Sequence, residues 1–229
     1  MKTIGIIGGM SPESTVTYYQ TINRETNRCL GGNASADILM HSVNFETVAA
    51  LQRAGDWAGA GALLAESARR LERMGAQVLV LATNTMHKVA PAIEAAVSVP
   101  LLHVVDVTAD AVKKQGLHTV GLLGTQFTMS DGFYTERMNR AGIAVTVPSE
   151  NRQAEIHRII FEELCRNRFT DAAKQYYLNA VNELAEAGAQ GVIFGCTEIG
   201  LLLKPEDCPL PVFDSAQLHA LAAVEFALS

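Results

Sequence analysis

Apolar positions along the chain fall into two kinds of block. Short, nearly continuous runs rich in valine, isoleucine and leucine occupy residues 3–8, 37–43, 77–83, 101–105, 119–124, 143–147, 191–196 and 211–213. Runs of that length and β-branched content are the pattern of parallel strands buried on both faces. Between them, apolar positions recur at helical spacing. Gly75, Gly116, Gly142 and Gly188 each stand a few residues before one of the runs, where a left-handed residue ends a helix. Strand and helix therefore alternate, which predicts an α/β fold with parallel sheets.

The pattern also repeats. LERMGAQVLVLATNT at 71–85 and LAEAGAQGVIFGCTE at 184–198 align without a gap at an offset of 113, residue 71 onto 184 and 83 onto 196. TIGIIG from Thr3 aligns with TVGLLG from Thr119 at an offset of 116, and the segment around Pro100 with that around Pro211 at an offset of 111. Any two α/β units share one such echo; three in the same order favour duplication. The expectation is two similar three-layer α/β domains with parallel four-stranded sheets, related by a pseudo-twofold axis, with the active site in the cleft between them. The expected boundaries are 1–106 plus 214–229 for the N-terminal domain and 107–213 for the C-terminal one.

Ligands of parallel α/β sheets bind beyond the carboxyl ends of the strands. The repeat puts Thr83-Asn84-Thr85 at one such end and Cys196-Thr197-Glu198 at the equivalent end of the other half. With pseudo-twofold packing, Thr83 and Cys196 approach one ligand from opposite sides, the geometry for moving a proton across a stereocentre. Asn84, Thr85 and Thr197 supply short polar groups suited to a carboxylate. A thiol ionises near pH 8.5, lower beside a helix N-terminus or a cation; a threonine hydroxyl is far harder to ionise. Cys196 thus serves as a base, and Thr83 as a donor to a strongly basic carbanion.

Composition narrows the class. The 229 residues are 48% hydrophobic and 18% charged, which excludes a disordered chain. At this length roughly 70% of the chain's surface is buried on folding, enough for a core without staples. The net charge is −6 and no basic run occurs, so no nucleic-acid partner is expected. No stretch approaches the ~20 apolar residues of a membrane span, and glycines interrupt the short N-terminal apolar run, unlike a signal peptide. Four cysteines, at 29, 165, 196 and 208, form no CxxC, which reads as a reducing, cytoplasmic setting. No two Cys or His residues have zinc-like spacing, so no metal is expected.

IGIIGGM at Ile4–Met10, NTMH at Asn84–His87, LLGT with TM across Leu122–Met129, and GCTE at Gly195–Glu198 together resemble the aspartate/glutamate racemase family, over essentially the whole chain. The resemblance implies racemisation without pyridoxal phosphate or any other cofactor, with one cysteine from each half flanking the substrate α-carbon. Thr83 stands here in place of the first cysteine, and Cys196 is the second, the base for the L-enantiomer. A branch acting on L-aspartate and L-glutamate is thereby implied, and the GCTE tetrad is more similar to aspartate racemases than to glutamate racemases, which have histidine where Glu198 stands. The family loop containing Met10 covers the substrate, and Thr125 and Thr128 are implied to bind its carboxylate; read without the resemblance, the two threonines are turn residues that cap a helix. Cys165 occupies the place of a family lysine, with Arg166 as a substitute. A homodimer is implied as well.

The remaining residues carry alternatives. Arg53, in an expected loop between helices, either clamps a distal carboxylate or is simply solvated. His87 either orients a site group or caps a helix. His41 and His103 are expected to end strands in structural roles. Cys29 is expected to follow a helix as a surface or capping thiol, Cys165 to pack mid-helix, and Cys208 to lie in a proline-rich loop. Ser11-Pro12-Glu13 reads as a helix start. Two other functions fit one catalytic thiol: a single-cysteine decarboxylase or isomerase of the same superfamily, and a non-catalytic amino-acid or dicarboxylate-binding protein.

Overall fold

The computed structural model describes residues 1–229. The first half runs β1 (Ile4–Gly8), α1 (Pro12–Leu30), β2 (Ile38–Ser42), α2 (Phe45–Ala54), α3 (Trp57–Arg73), β3 (Val78–Leu81), a 3-10 turn (Thr85–Val89), α4 (Ala90–Glu94) and β4 (Leu101–Leu102). The second runs α5 (Val104–Lys114), β5 (Thr119–Gly124), α6 (Gln126–Ser130), α7 (Phe133–Arg140), β6 (Ala144–Thr146), α8 (Glu150–Glu162), α9 (Asp171–Glu186), β7 (Gly191–Gly195), α10 (Ile199–Leu202), β8 (Val212–Asp214) and α11 (Ser215–Leu228). Two compact units result, Met1–Val104 with His219–Ser229, and Val105–Leu218. The chain thus leaves the first unit at the start of α5 and re-enters it within α11. No helix is long and apolar enough to cross a membrane.

Each unit holds one four-stranded parallel sheet, in the orders β2-β1-β3-β4 and β6-β5-β7-β8. The repeat survives down to register. Ile4 pairs with Val78 as Val120 pairs with Gly191, and Leu79 pairs with Leu101 as Val192 pairs with Val212. The helix-to-sheet contacts repeat too. A Cβ built on Gly5 lies 3.4 Å from Leu71 Cβ, and one on Gly121 lies 3.1 Å from Leu184 Cβ. In both units the last turns of a long helix press a leucine onto the central strand, where only glycine leaves room.

Every expected strand forms; β5 has the expected bounds, β8 is shifted by one residue to Val212–Asp214, and the others are trimmed at one or both ends. The largest change is at residues 101–105, where the strand stops at Leu102 and Val104 opens α5. Both Val104 and Val105 are fully buried, and a buried apolar run does not distinguish strand from helix start. Ser11 caps α1, accepting from Ser14 N at 3.3 Å, with Pro12 in the first turn. Gly75, Gly116, Gly142 and Gly188 all adopt positive φ, between 70° and 107°.

Candidate active site

In the second unit, Gly195 ends β7 with no space for a side chain, since an added Cβ would lie 2.8 Å from Leu122 Cδ1 and 3.0 Å from the Leu123 carbonyl. The chain then turns through Cys196, Thr197 and Glu198 into α10. All three side chains are buried. Glu198 collects donors: Cys196 Sγ to Oε2 at 2.9 Å, Thr197 Oγ1 to Oε2 at 2.7 Å and Cys165 Sγ to Oε1 at 3.7 Å. Burial first, and then the Glu198 charge beside it, push the Cys196 thiol well above the ordinary range. At rest Cys196 is therefore a thiol, hydrogen-bonded to Glu198.

Cys165 does not lie mid-helix. α8 ends at Glu162, and Cys165 sits in a 3-10 turn (Leu164–Arg166) closed by left-handed Asn167, which aims its thiol at Glu198. Arg166 is exposed. Thr125 follows β5, caps α6 by accepting from Thr128 N at 3.2 Å, and shares a 3.1 Å bond between hydroxyls with Thr128. Cys208 follows a 3-10 turn (Pro205–Asp207), its thiol pushed up to about 11 by burial and by Asp207.

In the first unit, Thr83, Asn84 and Thr85 lie just past β3 and are buried. Thr83 N bonds back to Leu81 O at 2.8 Å, so the chain turns away at once. His87 lies inside the 3-10 turn rather than at the start of an α-helix; its Nδ1 meets Thr83 O at 2.8 Å and its Nε2 caps α5 by meeting Val104 N at 3.3 Å. Met10 is buried within the apolar cluster of Ile7, Val48, Leu64 and Met86.

Arg53 is not in a loop. It lies in the last turn of α2, its side chain 64% exposed and paired with Glu46. The buried polar residue of α2 is Gln52, whose Nε2 donates to Met86 Sδ at 2.9 Å. The α2 pattern contains the signal: Val48, Ala49 and Gln52 share the inward face at spacings of three and four, and Arg53 falls off it. Cys29 is within the last turn of α1 and exposed, rather than beyond the helix. His41 lies inside β2 rather than at its end, and His103 lies between β4 and α5.

The profile of the Asp/Glu/Hydantoin racemase family matches residues 7–223. The chain belongs to that family. Among the racemase-family structures it resembles, a Yersinia pestis protein provisionally described as an Asp/Glu racemase is 46% identical, with full coverage of both chains and a TM-score of 0.93. An aspartate racemase homologue from Pyrococcus horikoshii is 35% identical, again with full coverage of both, at a TM-score of 0.85. The broad-specificity amino-acid racemase RacX of Bacillus subtilis is 24% identical over 96% of each chain.

Proposed function

We propose that this protein is a pyridoxal-phosphate-independent amino-acid racemase acting on L-aspartate and L-glutamate, with Cys196 and Thr83 serving opposite faces of the α-carbon. The carrying observation is the equivalence of these two residues. Each follows the third strand of its unit, in sheets of the same order and register, at the 113-residue offset of the repeat. Family membership supports the reaction class. The aspartate and Asp/Glu descriptions of the Pyrococcus and Yersinia relatives support the substrate class.

The geometry of Glu198 suggests how a protonated thiol becomes a base. The Cys196 proton passes along the 2.9 Å bond to Glu198 Oε2, and the thiolate takes the α-proton of the L-substrate. Thr83 then gives its hydroxyl proton to the carbanion from the other face, and regains one as Glu198 releases its own through solvent. The α-proton is much less acidic than a thiol, so the carbanion needs stabilisation by aligned donors in a site closed to water. Asn84, Thr85, Thr125, Thr128 and Thr197 supply such donors, and the loop after β1 covers the substrate, anchored by the Met10 side chain in the apolar cluster. Arg53 must leave Glu46 to clamp a distal carboxylate. We read the protein as a cytoplasmic homodimer, on the family resemblance and its four free thiols.

Two enantiomers of equal free energy require equal kcat/KM in the two directions. A site with threonine on the D side therefore exchanges the L α-proton faster than it completes turnover. The test is chiral chromatography with L- and D-amino acids on wild type and variants. Cys196→Ala should abolish both exchange and racemisation of L-aspartate, and Thr83→Cys should raise net racemisation. A Thr83→Cys protein that leaves D-substrate untouched would contradict the placement of Thr83. The single thiol also suits a carbanion-protonating decarboxylase; CO2 release from a substituted malonate would select that reading. Tight amino-acid binding without any exchange would select a binding protein.

A further inference from the structure

Three imidazoles of the first unit take no part in the chemistry above. His87, His103 and His219 are all buried, with ring centroids 4.6 Å apart for His87 and His103 and 5.6 Å for His87 and His219. One proton on His87 can be placed. A carbonyl only accepts, so the 2.8 Å contact with Thr83 O puts a hydrogen on Nδ1. The other edge of the ring meets Val104 N at 3.3 Å and the Leu102 backbone, so the Nδ1–H bond to Thr83 O is the one whose direction the geometry fixes. By the same logic His219 donates from Nε2 to Leu102 O at 2.9 Å and accepts the Tyr18 hydroxyl on Nδ1 at 3.0 Å.

The Thr83 peptide lies beyond β3, so the sheet ladder does not hold its carbonyl; the His87 ring does. On its other side the ring meets the first amide of α5, one of the N–H groups that a helix cannot satisfy itself. Leu102 and Val104, the last residues before the chain leaves the first unit, are thus bonded to His219 and His87 respectively.

We infer that His87 is a positioning residue for the Thr83 hydroxyl: its two ring nitrogens tie the Thr83 peptide to the start of α5 and give the side chain one orientation. The inference rests on Thr83 being the D-side proton donor. It accounts for why a ring with two bonding edges, rather than an apolar side chain, fills this part of the core.

Two substitutions separate the two edges of the ring. His87→Asn keeps a donor near the Nδ1 position; His87→Gln places its amide near Nε2 and leaves Thr83 O without a donor. Each is assayed in D2O for net conversion of L-aspartate and for α-deuterium incorporation, which needs Cys196 and Glu198 but not Thr83. The Gln protein should lose at least about tenfold in net racemisation, since misplacing a reacting group by about 1 Å can cost about a hundredfold. Its exchange should stay within about twofold, and the Asn protein should keep both activities within about threefold. Equal loss of both activities in the Gln protein, or no loss, would overturn the inference. Thr83→Ala runs alongside. If it abolishes racemisation while His87→Gln does not, the His87 role alone fails. If Thr83→Ala changes nothing, the underlying reading of Thr83 fails instead. Ring 15N NMR of the wild type at pH 7 should show His87 protonated at Nδ1; a bare Nδ1 would refute the proposal whatever the variants do.

Discussion

His219 offers a test of how the returning helix α11 is anchored. Its ring is fully buried, with Tyr18 on one nitrogen and the Leu102 carbonyl on the other. Burial holds its pKa at about 4, against an ordinary 6.5. The unfolded chain thus takes up a proton that the native state refuses. The stabilisation is complete above pH 6.5 and is lost as the pH falls from 6.5 towards 4. The difference between those values corresponds to roughly 3 kcal/mol, most of it gone by pH 4.5. Urea unfolding at pH 7.5 and 4.5 would measure it in the wild type and in His219→Gln, whose amide can still donate to Leu102 O. The wild type should lose about 2 to 3 kcal/mol more than the variant over that interval. His87, held neutral first by burial and then by His103 and His219, loses only the His219 contribution in the variant, which widens the difference in the same direction. Equal losses would refute the assignment of a buried neutral imidazole at 219.

Glu198→Gln should slow racemisation at least about a hundredfold, as loss of a proton-accepting partner does, yet speed alkylation of Cys196 at pH 8.5, because the carboxylate charge helps to keep the thiol protonated; peptide-resolved mass spectrometry that found slower alkylation would contradict this. Leu71→Ala and Leu184→Ala should each cost about 2 to 5 kcal/mol in urea unfolding, as buried leucines do, and the two should be similar because both press on a glycine of a central strand. A surface-like cost below about 0.5 kcal/mol at either position would break the structural equivalence of the halves.

Much of the fold was legible because the inner strands, buried on both faces, leave continuous apolar runs, and because the offsets of 111, 113 and 116 place the strands of the two halves in one register. Val104 and Val105 read as strand from the sequence because burial at a helix start and burial in a strand look alike in one dimension. Arg53 was misplaced because Gly55, which ends α2 at a φ of 68°, makes the neighbouring residues look like a loop; the helical spacing of Val48, Ala49 and Gln52 overrides that cue. Within the site, the Cys196–Glu198 contact is short range and visible in the GCTE tetrad. The contact from Cys165 to Glu198 spans 33 residues, and the His87, His103 and His219 cluster is assembled from three separate segments. No periodicity encodes either one; they exist only once the helices pack.

A time course with L-aspartate in D2O tests the opposed proton donors most directly. Deuterium should enter the remaining L-aspartate well before a comparable amount of D-aspartate forms, because the thiol, once exchanged with D2O, returns a deuteron readily and the hydroxyl delivers one reluctantly. If D-aspartate accumulates at least as fast as deuterium enters the L-isomer, the asymmetric pair is wrong.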